Sequence, residues 1–98
     1  MVIEWLRFQV NPELREVFIQ RDEEIWTEGL KKYAGYLGKE VWIEPYSNDV
    51  IIMIRWENMD VWQSVPKFEI NRRKQLMGNL DIPVSESRVY QVRRFLHI

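Results

Sequence analysis

The segment Val50–Trp56 constrains this chain more than any other. In an extended conformation Val50, Ile52, Ile54 and Trp56 fall on one side, and Ile51 and Met53 on the other, with Arg55 completing the second set. Successive side chains of a strand point to opposite faces. A strand that is apolar on both faces needs cover on both, so whatever sheet this chain builds cannot leave one side simply wet.

The rest of the chain supplies that sheet. Val2–Val10 alternates: Val2, Leu6, Phe8 and Val10, with Glu4 among them, face one way, and Ile3, Trp5, Arg7 and Gln9 the other. Lys39–Pro45 reads as a second strand, with Val41 and Ile43 opposed to Glu40, Trp42 and Glu44. Pro45-Tyr46-Ser47-Asn48-Asp49 is rich in turn formers and joins it to Val50–Trp56 as a hairpin. Arg88–Ile98 alternates again and is predicted as the last strand, after a loop over Leu80–Ser87 containing Pro83.

Two helical segments interleave with these strands. Asn11-Pro12-Glu13 combines a capping residue, a proline suited to the first turn and an acid at the positive end of the dipole. From there Leu14, Val17, Phe18, Ile25, Gly29 and Tyr33 give one apolar stripe, widened by Trp26 and Leu30, so a helix is predicted over Pro12–Tyr33 with Gly35 and Gly38 at its exit. Asp60 is the predicted cap of a short helical turn carrying Val61, Trp62 and Val65, which Pro66 interrupts. Phe68, Ile70, Leu76, Met77 and Leu80 predict the second main helix, with Arg72-Arg73-Lys74 on its solvent side.

The order β-α-β-β-α-β in 98 residues, without linker or repeat, predicts a single α+β domain over residues 1–98. Its expected architecture is ferredoxin-like, a four-stranded antiparallel sheet with both helices on one face. The other face would carry Ile3, Trp5, Arg7, Trp42, Ile51, Met53 and Arg55. A patch of that kind marks an interface or a ligand groove, and two copies packed sheet to sheet about a two-fold axis cover it most simply. A homodimer is the expectation. Arg7, Glu40, Glu44 and Arg55 would then pair across strands or surround a polar ligand.

Composition removes several functions. With 14 Lys and Arg against 15 Asp and Glu, net charge is −1, which argues against a nucleic-acid binder driven by charge. The absence of cysteine excludes disulfides, thiolate metal sites and cysteine nucleophiles. The longest apolar run, Val50–Ile54, falls far short of the ~20 residues of a membrane span. No basic segment followed by an apolar one stands at Met1, so a cytoplasmic location is the expectation. No P-loop and no GxGxxG is present, and nothing in the sequence calls for a cofactor.

Five tryptophans stand out: Trp5, Trp26, Trp42, Trp56 and Trp62. Each carries an N–H that wants a partner, and a domain this small does not readily bury five in one core. Trp26, Trp42, Trp56 and Trp62 are expected either to wall a site for a flat apolar ligand or to act as packing anchors. Asp22, four residues past Phe18 and four before Trp26, lies near the apolar stripe. A carboxylate there is costly unless paired. It is either a general base with a raised pKa or the partner of Arg21, Lys39 or a Trp N–H. Lys39 is either half of an exposed edge pair with Glu40 or an anion contact. His97, the only histidine, makes no metal site by itself.

The layout, and the run Ile52 through Trp62 with its strand, Trp56-Glu57 and short Trp-bearing helix, resemble the dimeric α+β-barrel superfamily of antibiotic-biosynthesis-monooxygenase-like domains, which also includes haem-degrading monooxygenases. Asp22-x-x-x-Trp26-Thr27, Gly38-Lys39-Glu40-Val41-Trp42, Trp56 and Trp62 are similar to a small, largely cyanobacterial family. The resemblance implies the fold and a dimer. It leaves the activity open, because the superfamily hosts many chemistries. The haem-degrading pattern needs an Asn on the first strand, a Trp after the third and a His on the second helix. Trp62 fits the Trp, but the first strand has no Asn before Asn11 and Lys67–Asn79 has no His. The leading expectation is therefore a cofactor-free monooxygenase-like enzyme or binder of a small aromatic ligand, with Asp22 as acid–base group. The alternative is a non-catalytic structural or regulatory homodimer.

Overall fold

The computed structural model describes residues 1–96. Strand β1 (Val2–Phe8) is followed by a 3-10 turn at Pro12–Leu14, helix α1 (Arg15–Asp22), a π-helical turn (Glu23–Thr27) and a short helix α2 (Glu28–Leu30). Strands β2 (Tyr36–Ile43) and β3 (Val50–Trp56) form the hairpin. Helices α3 (Met59–Gln63) and α4 (Lys67–Met77), a 3-10 turn at Gly78–Leu80 and strand β4 (Val84–Gln91) complete the chain. The sheet order is β2-β3-β1-β4, antiparallel throughout. This is the ferredoxin-like βαββαβ arrangement, with the two apolar strands β1 and β3 in the middle.

The faces follow from register. Val2 pairs with Trp56, Glu4 with Ile54, Leu6 with Ile52 and Phe8 with Val50, and this face packs on the helices. Phe8 and Phe18 meet at 5.2 Å between ring centroids, joining β1 to α1. Ile3, Trp5 and Arg7 share the other face with Ile51, Met53 and Arg55.

Several predicted boundaries move. The first helical segment is interrupted, and its apolar face differs from the predicted stripe. Leu14 and Val17 are exposed, while Phe18, Asp22, Trp26 and Leu30 turn inward. A spacing of four residues drifts about 40° per step around a regular helix of 3.6 residues per turn. The π turn, closed by i→i+5 bonds, takes up that surplus and keeps the four in line. The cap of α3 is Asn58, whose Oδ1 accepts from the Val61 N–H at 2.9 Å, and not Asp60. On α4, Phe68 is exposed, and Arg73 is not on the solvent side: it reaches back to the Ile25 carbonyl at 3.4 Å. The last strand covers Val84–Gln91 instead of Arg88–Ile98, because its pairing with β1 sets the register and shifts at Arg7/Phe8. His97 lies outside the described residues.

The open face is more self-contained than its sequence pattern implies. Ile51 and Met53 are already buried in the single chain, each flanked on neighbouring strands by long or bulky side chains: Arg7 and Trp42 beside Ile51, Trp5 and Glu40 beside Met53. Charged residues on and beside this face pair with one another. Arg7 donates to Glu44 at 3.1 Å and to Asp49 at 2.9 Å, and Arg55 reaches Glu40 at 3.4 Å.

Candidate functional site

A cavity of about 390 Å³ lies between the helix-facing side of the sheet and the helical layer. Leu6, Phe8, Ile52 and Ile54 form its sheet wall; Trp26, Trp56 and Trp62 supply aromatic surface. Lys74, Asp81, Pro83 and Val84 line it too and are exposed, so they form its rim. This volume is within the range of small-molecule sites, which are mostly apolar with a few placed polar groups.

Those polar groups are Asp22, Lys39 and Glu4. Asp22 is carried by the last residue of α1, Lys39 by β2. Lys39 falls on the helix-facing side because it pairs with Ile54 and shares the parity of Val41 and Ile43; the strand bulges just before it, between Tyr36 and Gly38, where Gly38 holds φ +142°. From there Nζ donates to Asp22 Oδ2 at 2.5 Å and to Thr27 Oγ1 at 3.0 Å. The two side chains are 6% and 5% exposed. The expectation of an exposed Lys39–Glu40 edge pair is therefore overturned: the partner is a carboxylate across the domain. Burial pushes the Asp22 carboxyl up from its ordinary value, and the charge and hydrogen bond of Lys39 pull it part of the way back.

Glu4 is the residue that the sequence reading passed over. It projects from the centre of β1 into the cavity. Its Oε1 accepts from the indole Nε1 of buried Trp56 at 3.2 Å, and the Trp62 indole also favours the charged carboxylate. Burial raises its pKa; the two indoles and, at longer range, Lys39 oppose the rise. The signal was available. Glu4 shares the parity of Val2, Leu6 and Phe8, and an acid among core-facing residues needs a reason.

The structure thus brings together Asp22, Trp26, Lys39, Trp56 and Trp62, and adds Glu4. It does not bring in Trp42, which the sequence reading had placed with the others. Trp42 stands on the opposite face of the sheet, 42% exposed, its Nε1 donating to Glu40 Oε1 at 3.0 Å. The reason is parity: residues 39 and 42 of one strand face opposite ways. Among the described residues no group of three or more His, Asp or Glu is placed to hold a metal ion, and no helix is long and apolar enough to cross a membrane.

The class defined here is a ferredoxin-like domain with both helices on one face of the sheet. Solved structures share that fold. A Deinococcus radiodurans protein, provisionally named an antibiotic biosynthesis monooxygenase, is similar over 100% of this chain and 98% of its own, with TM-score 0.75 and 15% identity. A Streptomyces coelicolor monooxygenase, solved in complex with nanaomycin D, is similar over 99% of this chain and 91% of its own, with TM-score 0.74 and 14% identity. A cofactor-independent oxygenase from Streptomyces nogalater matches over 97% and 95%, with TM-score 0.67 and 16% identity. The fold is that of the antibiotic-biosynthesis-monooxygenase-like dimeric α+β-barrel proteins. No protein-family model matches the sequence, and no curated protein does.

Proposed function

We propose that this protein binds a flat aromatic molecule in the cavity and performs acid–base chemistry on it, as a cofactor-free monooxygenase-like enzyme. The observation that carries this reading is a cavity of about 390 Å³ in which Trp26, Trp56 and Trp62 meet two shielded carboxylates. Aromatic walls suit a flat apolar body, and carboxyls with raised pKa values suit proton transfer near neutral pH. The ligand in the Streptomyces coelicolor relative, nanaomycin D, is the natural first probe. The structural alternative, in which the tryptophans are packing anchors only, expects them to fill the space that the cavity leaves open.

Titration with nanaomycin D, followed by tryptophan fluorescence, is expected to give saturable quenching, and oxygen uptake with its reduced form is expected to exceed the uncatalysed rate. Trp26→Ala and Asp22→Asn are expected to weaken the response. A flat titration into the millimolar range would sink the proposal.

We further propose a homodimer through the open face, where Trp42 and Tyr90 are exposed beside the roofed Ile51 and Met53. Sedimentation should give twice the chain mass, and Trp42→Asp should shift the protein towards monomer; a wild-type monomer at high concentration rejects it.

A further inference from the structure

Behind its rim, where Asp81 is exposed, the cavity holds two further carboxylates, and only one of these is paired with a cation. Asp22 has its cation, Lys39, in direct contact, with Thr27 sharing the ammonium. Among the described residues Glu4 accepts from a neutral donor, the indole N–H of Trp56, with the Trp62 indole also favouring its charge. Among the described residues no cation lies within ion-pair distance of it; the other charged groups lining the cavity are Lys39 on β2, Asp22 on α1, Lys74 on α4 and Asp81 beyond it. A half-buried carboxylate in that state has acceptor capacity left, and the cavity it lines has space for one more donor.

We propose that Glu4 is the group through which the cavity recognises the polar end of its ligand: its carboxylate accepts the hydrogen of a hydroxyl on an aromatic ring and takes that proton. This rests on the aromatic-ligand reading above and assigns the acid–base role to Glu4, with the Asp22–Lys39 pair as a positioning element. In the transfer the ligand O–H bond breaks, a carboxyl O–H bond forms, and the electron pair stays on the ligand oxygen. An aromatic hydroxyl suits the site because its ring packs on the tryptophan walls while its O–H reaches the carboxylate. The Trp56 indole holds one carboxylate oxygen, so the acceptor direction is set before the ligand arrives.

The test uses 2-naphthol and its methyl ether, 2-methoxynaphthalene, which differ in the one hydrogen that Glu4 would accept. Calorimetric titration of the wild-type protein should show a preference for the naphthol of about tenfold or more, as expected for a hydrogen bond to a charged group. Glu4→Gln, which keeps shape and can still accept from Trp56, should reduce the preference to about threefold or less. Glu69→Gln, outside this cavity, should leave it unchanged. In the wild type the preference should fade as pH is lowered through the Glu4 titration, because the protonated carboxyl is the weaker acceptor. Equal wild-type affinities for the two compounds, or a preference that survives Glu4→Gln, overturn the assignment and leave the aromatic-ligand reading standing. Loss of the preference in Asp22→Asn but not in Glu4→Gln moves the role to Asp22 and overturns it too. No binding of either compound overturns both readings.

Discussion

Asp22 at the end of α1 and Glu69 on α4 retain 4% and 5% of their surface, yet their surroundings pull them in opposite directions. Asp22 has one cation, Lys39, as buried as itself, and its carboxyl is raised. Glu69 has three. Lys32 donates to it at 2.7 Å, and Arg72 and Arg73 each stand 3.6 Å away. Its carboxyl is lowered, first by the Lys32 hydrogen bond. Lys32 and Arg72 are themselves largely in water, so their desolvation costs little. Two carboxylates of similar exposure therefore differ because of where their partners sit. Depth of the pair, and not of the acid alone, decides the sign.

The sharpest way to break this comparison is to remove one cation from each site. Lys39→Met strands Asp22 and should cost roughly 3–5 kcal/mol by urea denaturation. Lys32→Met leaves Glu69 with two arginines and should cost only a small fraction of that; equal losses would show that the two sites are alike. A double variant, Asp22→Asn with Lys39→Met, should recover part of the Lys39→Met loss, because no buried charge remains. Recovery of nothing would mean that packing, and not charge, set the penalty.

Acidity separates the sites next. A raised carboxyl is neutralised early as pH falls, so the Lys39→Met penalty should shrink as pH falls through the raised folded value, above the ordinary 3.8. A lowered carboxyl contributes stability that is fully present above its ordinary value of 4.5 and is lost only as pH falls through the lower folded value. The Glu69→Gln penalty should therefore hold down to about that point and vanish below it. Denaturation series across this range check both signs, and a shared midpoint would refute the contrast. Smallest of all is salt. About 0.5 M NaCl should reduce the Glu69→Gln penalty measurably and leave the Lys39→Met penalty within error, since screening reaches exposed partners first.

How far the chain could be read in advance varies along it. β3 was bounded correctly at Val50–Trp56, since a β-branched run between a turn and Glu57-Asn58 leaves little choice. The faces of β1 followed from parity alone. Lys39 was misjudged because β2 was started three residues late, at Lys39 instead of Tyr36, which made a core-facing residue look like a strand end. The inward line Phe18, Asp22, Trp26, Leu30 was blurred with Leu14 and Val17 because no local propensity marks a π turn. Of the site, Asp22, Trp26, Trp56 and Trp62 were legible as residues that sit awkwardly in a core. Glu4 required one further question of the same kind, and Trp42, whose parity already put it on the opposite face, did not belong with the other three tryptophans. β4 was displaced because its position is decided by pairing with β1, a long-range contact that its own residues do not encode.

The π turn at Glu23–Thr27 works like a vernier between two scales. Each residue of a regular helix advances the direction by about 100°. Were the turn to tighten to regular α-helix at the same length, the twelve steps from Phe18 to Leu30 would leave the two about 120° apart around the axis. Phe18 and Asp22 could then keep their seats only if Leu30 gave up its own. The surplus residue is thus the part that lets one rod aim a phenyl ring, a carboxylate, an indole and a leucine at the same small volume, and it would be the cheapest place for that aim to be changed.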